Sequence, residues 1–207
     1  MIIKFLSLLA KYLWIKELGL LNGLALILAI YVHEYGHYFK AKELNYNPKT
    51  PRFIPYLGAY VKTEEIKNAN HQFQVSFYGP LVGGIVGIIC FYLEIIVDSK
   101  FTHQLALYSI LLNFFNLLPI SILDGGKIVK SLALNRLLVF FNVLVIIFSL
   151  MYTKYFFTIL GVIGLLFSFI TKDYKIVEMS STDKRKNIQL YVVFTIVLSI
   201  HTYLIIK

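Results

Sequence analysis

The sequence predicts an all-α polytopic membrane protein. About six transmembrane helices are expected, with an N-terminal amphipathic or short hydrophobic segment and a small β-strand segment near residues 51–62. Three observations carry this reading. The 207 residues are 58% hydrophobic and 15% charged, with a mean hydropathy of +0.72. Apolar runs near the ~20 residues needed to cross a bilayer recur along the chain. Lysine and arginine gather in the short connections between those runs.

Each element follows from its residues. Residues 1–17, MIIKFLSLLAKYLWIKE, place Lys4, Ser7 and Lys11 on one helical face, the pattern of an interfacial helix or a short membrane segment. No small-residue cleavage site precedes Lys11, so no cleavable signal is expected. A first span covers about 18–39. The connection to residue 71 holds Pro48, Pro51 and Pro55, which oppose helix. Phe53, Tyr56, Ala59 and Val61 flank Gly58 there, a pattern of short strands. From the residues alone, an edge for pairing an extended peptide and an ordinary loop stand equal. In the second span, about 73–97, Gly79, Gly83 and Gly87 recur every four residues and form a smooth face for close helix packing. A third span is expected at about 101–118, a fourth at 132–152, a fifth at 155–170 and a sixth at 188–206. Three regions result: 1–17, a catalytic membrane core at 18–130, and a three-helix membrane region at 131–207.

The net charge of +9 reads as topology and affinity for an anionic lipid bilayer, not for nucleic acid. The connections after the first, third and fifth spans hold fourteen lysines and arginines, while the alternate turns hold only Lys100 and Lys154. The richer set belongs in the cytoplasm, which brings the C-terminal ends of the first and third spans to that side. The single cysteine, Cys90, excludes an internal disulfide and reads as packing.

The chemistry is concentrated in His33-Glu34-Tyr35-Gly36-His37, an H-E-x-x-H sequence. On a helix, positions i and i+4 lie one above the other, so both imidazoles can grip one metal ion. Glu34 stands beside the first histidine as the general base of a zinc hydrolase. Zinc takes a third protein ligand and keeps one position open. The extended zincin pattern fails, because Lys40 replaces its glycine and Glu43 its histidine. Glu64 and Glu65 sit in a charged run and read as a solvated face. His71, His103 and His201 read as interfacial or packing residues. Asp124 is the best remaining donor, since a carboxylate at membrane depth costs about 2.5–3.5 kcal/mol and calls for a partner. A simple C-cap aspartate is the competing reading. Pro119 interrupts the third span, and Gly125-Gly126 offers the backbone freedom to turn Asp124 inward.

Taken together, HEYGH within a membrane helix and Asn116-x-x-Pro119-x-x-x-x-Asp124-Gly125 after a later one resemble the site-2 protease family of intramembrane zinc metalloproteases. Both family motifs are complete. Phe53-Ile54-Pro55 with Gly58, and Tyr78-Gly79-Pro80, match more loosely. The resemblance covers about residues 18–130, and without an inserted PDZ or CBS domain it is to a minimal core.

The resemblance implies one zinc ion, Zn2+, on His33, His37 and Asp124, with Glu34 activating water and Asn116 near the scissile peptide. It implies that Phe53, Ile54, Tyr56, Gly58 and Tyr60 bind an unwound transmembrane or membrane-associated peptide substrate. The expected location is a bacterial cytoplasmic membrane with the site toward the cytoplasm. The rival readings are a transporter or a peptide-tolerance scaffold that keeps a metal site without turnover. A transporter should show internal repeats or buried charges along a path, and the sequence shows neither.

Overall fold

The structure, a computed structural model, describes residues 12–54, 58–151 and 177–207. Six helices and one hairpin have defined bounds: α1 Leu20–Glu43, β1 Arg52–Ile54, β2 Gly58–Tyr60, α2 Ala69–Val97, α3 Lys100–Leu117, α4 Asp124–Ser131, α5 Asn135–Met151 and α6 Ser181–Ile206. Residues 12–18 are also helical. The chain divides into two compact units. One comprises Met1–Glu65, Tyr78–Phe114 and Val193–Lys207, and the other Ile66–Phe77 and Phe115–Val192.

In the first unit, Gly19 has φ 82°, a backbone angle that glycine adopts without strain. It separates helix 12–18 from α1. Gly23 then lets Ile15 come close, since a Cβ there would stand 2.6 Å from the Ile15 Cα. α1 ends where Asn45 turns left-handed at φ 65°. The Tyr46 N–H bonds the Ala41 carbonyl and the Asn45 N–H bonds that of Lys42, a Schellman closure that satisfies carbonyls left over at the helix end. Ala25 and Ala29 of α1, Cys90 of α2, and Leu105 and Ala106 of α3 form one core cluster. Cys90 is therefore packing, as its apolar run suggested.

The hairpin pairs Arg52 with Tyr60, Phe53 with Ala59 and Ile54 with Gly58 in antiparallel register. Phe53 is buried and holds the hairpin to α1, its ring 4.6 Å from Tyr31 and 5.8 Å from Trp14. The strands expected near 51–62 are present. Asp98, at φ 45°, ends α2. Ser99 opens α3 by accepting the Thr102 N–H at 3.4 Å.

In the second unit, Asn68 caps α2 by accepting the His71 N–H at 3.0 Å. Ser180 caps α6, its hydroxyl accepting the Asp183 N–H and donating to the Asp183 carboxylate. Beyond α3, Pro119 lies in a tight turn whose Ile120 N–H bonds the Leu118 carbonyl at 2.7 Å, and a second turn follows in which the Leu123 N–H bonds the Ile120 carbonyl. α4 then begins at Asp124. This short helix was not expected from the sequence, which placed Asp124 at the end of a span. α4 closes like α1, with the Leu134 N–H on the Val129 carbonyl and Ala133 at φ 54°.

Two described helices, Ala69–Val97 and Ser181–Ile206, are long and apolar enough to cross a membrane. Their surfaces suit lipid: Ile95 and Ile96 of α2 are 75% and 80% exposed, and Val193 of α6 is 60% exposed. Large apolar residues unburied in runs like these mark contact with something other than water. The described helices thus meet that test at two of the six expected spans, for physical reasons. α1 carries HEYGH, α3 begins KFTHQ and holds two asparagines, and α5 is 17 residues long. The fifth expected span lies outside the described residues, as does the segment before residue 12.

Candidate metal centre

α1 carries the two histidines on one buried stripe of the first unit. Their Nε2 atoms face each other at 3.1 Å. Two imidazoles on one tetrahedral zinc, each bonded at about 2.05 Å, would hold their nitrogens about 3.3 Å apart. The pair already has nearly that spacing. Glu34 lies between them in sequence and is 7% exposed.

Asn113 of α3 determines which nitrogen of His33 is bare. Its amide nitrogen donates to the Ser109 carbonyl at 2.7 Å, which turns its oxygen toward His33. That oxygen lies 2.7 Å from His33 Nδ1. An amide oxygen only accepts, so Nδ1 carries the proton and Nε2 presents a lone pair. A ring so held is ready to bind a cation, and the donor set fits zinc on this observation.

The glycine face of α2 makes this geometry possible. A Cβ on Gly79 would collide with the His37 ring, and one on Gly83 with the Asn113 amide. A Cβ on Gly87 would come within 2.9 Å of Ser109 Cβ. Gly36, inside the motif, meets the backbone of Tyr78 and Gly79. The four-residue glycine period is packing, as expected, and what it packs is the histidine pair and its hydrogen-bonded support.

Lys40, one turn past His37, is buried and bonds both Glu43 carboxylate oxygens at 2.8 Å. Its ammonium also lies 3.9 Å from the centre of the Tyr78 ring. The two residues that break the longer zincin pattern therefore form an ion pair.

Of the residues expected to bind peptide, Phe53 turns its ring into the first unit and Tyr60 is 38% exposed. Ile54 and Gly58 face each other in the hairpin register. Tyr56 lies outside the described residues. In the second unit, Asp124 is the first residue of α4 and is buried, with Lys127 Nζ at 2.9 Å. Asn116, partly buried, lies near the end of α3. The glycines after Asp124 serve closeness of approach, not unusual torsions. Gly19 is the positive-φ glycine among the described residues, whereas a Cβ on Gly125 or Gly126 would strike the carbonyls of Leu117, Leu118 or Ile120.

The other histidines keep their structural reading where the structure shows them. His103 bonds Glu94 at 2.7 Å across the α2–α3 turn. His201 bonds the Val197 carbonyl at 2.8 Å and meets the Tyr92 ring. Sequence reasoning missed Asn113. The signal was there: an amide in an apolar helix needs a partner, and Asn113 precedes Asn116 by three residues on the same helix.

The model of "Peptidase family M50" matches residues 23–99 and 94–157. Stage IV sporulation protein FB of Bacillus subtilis is 35% identical over 149 residues, covering 65% of this chain and 51% of that protein. A zinc metalloprotease of Methanocaldococcus jannaschii is 26% identical over 112 residues, covering 52% of this chain and 32% of that protein. The chain thus matches about half of the first relative's length and about a third of the second's. With the family match running through HEYGH and on past Asp124, the chain belongs to peptidase family M50, the site-2 protease family of membrane metallopeptidases.

Proposed function

We propose that this chain is an intramembrane zinc metalloprotease that hydrolyses a peptide bond of a membrane-embedded substrate. The observation that carries the reading is the pair of buried imidazoles with facing Nε2 atoms, one of them with its tautomer fixed, on a helix that also holds Glu34. Asp124 is the proposed third ligand. Two imidazole nitrogens and a carboxylate oxygen are a ligand set that suits catalytic zinc and leaves the ion one open position. Lys127, 54% exposed, is a counter-charge beside that carboxylate at 2.9 Å.

Zinc in this site would supply Lewis-acid polarisation of the scissile carbonyl and a nucleophilic water near neutral pH. Glu34 takes the proton of that water and delivers it to the leaving amine. Asn116 steadies the scissile peptide. A helical substrate hides its peptide groups, so it must unwind before cleavage. The hairpin supports a route for this, because the edge of a two-stranded sheet can accept extended backbone. Phe53 anchors that hairpin, and Ile54, Tyr56, Gly58 and Tyr60 are the residues proposed to pair with the substrate, Tyr60 with an exposed side chain.

The proposed frame is the six-span topology with the site toward the cytoplasm of a bacterial membrane, and residues 1–17 at the interface or in the lipid. The substrate is a membrane-bound regulator, a signal-peptide remnant or a small peptide precursor. A non-proteolytic carrier or scaffold is the second reading, and Glu34, buried on the helix that carries both histidines, disfavours it. Mass spectrometry of membrane peptides from cells carrying Glu34→Gln tests the choice. Intact segments that accumulate, and that purified wild-type protein then cuts, support the protease. An unchanged peptide profile, with no cutting of any accumulated membrane peptide, contradicts it.

A further inference from the structure

We infer that Asn113 is a positioning residue for the metal centre: it fixes the tautomer and ring angle of His33 through a hydrogen-bond chain that runs Ser109 carbonyl, Asn113 amide, His33 imidazole. The inference rests on the proposed zinc site and goes beyond the ligand set.

The observations that support it all lie within the first unit. Asn113 is fully buried, so water does not compete for its amide. Its nitrogen is engaged by the Ser109 carbonyl and its oxygen by His33 Nδ1, both at 2.7 Å. The orientation of the amide is therefore determined, because the Ser109 oxygen can only accept. A reversed amide would set oxygen against oxygen at that distance.

Helix α2 then blocks the amide from moving. Gly83 leaves a gap that the Asn113 side chain fills, and any side chain at that position would displace it. One turn earlier, Gly79 leaves the gap that the His37 ring fills. The two glycines are thus the mould for one ligand and for the support of the other. Ser109 itself packs against Gly87, so two links of the chain, Ser109 and Asn113, rest on positions of the same glycine stripe.

A neutral imidazole that was free to choose would divide between its two tautomers. Only the form protonated at Nδ1 turns a lone pair toward His37. Asn113 holds His33 in that form before any ion arrives. Supports of this kind change metal affinity by about 10–100-fold when removed.

The test uses the full chain in detergent. Zinc affinity is measured by chelator competition for the wild type and Asn113→Leu, each with its helical content checked. Leucine keeps the volume and removes the acceptor. The expected result is a loss of about 10–100-fold for Asn113→Leu with the fold retained. A wild-type affinity in Asn113→Leu overturns the inference.

A second measurement needs no variant at Asn113. In metal-free protein at pH 8, the nitrogen shifts of labelled His33 should report a proton on Nδ1 and none on Nε2. The opposite tautomer, or an even mixture, overturns the proposal. Failure of the zinc reading itself would show separately, as a wild-type chain that binds no zinc at all.

Discussion

The Nε2 atoms of His33 and His37 stand 3.1 Å apart on one buried stripe of α1. That spacing follows from helix geometry, since residues four apart lie one above the other. Their approach also needs room, which Gly36 and Gly79 supply where α1 and α2 touch. The relationship gives Glu34 a defined task beside the pair. Glu34→Gln keeps the size and hydrogen-bonding capacity of the side chain but cannot take a proton. Peptide hydrolysis should fall by about 10²–10⁴-fold, while zinc content stays at the wild-type level. Metal analysis alongside a cleavage assay checks both halves, and full cleavage by this variant would remove Glu34 from the role of base.

Gly36 faces the Tyr78 carbonyl and the Gly79 Cα across the helix contact. Both are backbone atoms and cannot rotate away. Gly36→Val should therefore force the helices apart and cost about 1–3 kcal/mol. Thermal unfolding in detergent would show a lower midpoint, together with weaker zinc binding. A wild-type midpoint would mean that the helices do not meet at Gly36.

Gly83→Ala tests the mould from its other end. The added methyl would strike the Asn113 amide, a group at the tip of a side chain. The side chain can shift, so stability should change by less than in Gly36→Val. Zinc affinity should still fall, because the amide leaves His33. Isothermal titration of zinc into the metal-free variant measures this, and an unchanged affinity would contradict the assigned support.

Ala133 closes α4 in a left-handed conformation at φ 54°, which costs an L-residue about 1–2 kcal/mol. Glycine adopts it freely. Ala133→Gly should raise stability by up to about 1 kcal/mol, partly offset by the greater freedom of glycine in the unfolded chain. A rise in the unfolding midpoint checks this. A fall would place the turn in another conformation.

Much of the site was legible because its parts are local. The H-E-x-x-H spacing needs only helix periodicity, and short strands were legible in the apolar residues that flank Gly58, although their pairing was not. The Gly79, Gly83 and Gly87 stripe declared a close helix contact, although not which side chains fill it. That detail depends on the rotation of α3 against α2, which brings Asn113 and Ser109 to the stripe and which no local pattern encodes. α4 was missed because Pro119 and the glycines after Asp124 both read as breakers. In the structure the proline makes the turn, and the glycines let the first turn of a helix nest under the carbonyls of Leu117, Leu118 and Ile120. Hydropathy drew the spans well where they carry no chemistry, as in α2. It blurred them where polar residues lie within the helix, as in α1 and α3.

The proposed centre holds one zinc ion through His33, His37 and Asp124. Zinc content of the purified full chain, measured by atomic emission against protein concentration, tests that ligand set. About one zinc per chain is expected in the wild type and in Glu34→Gln, and a large loss in His33→Ala, His37→Ala and Asp124→Ala, each with its helical content retained. A wild-type chain without zinc, or one that keeps its zinc when both histidines are replaced, would contradict it.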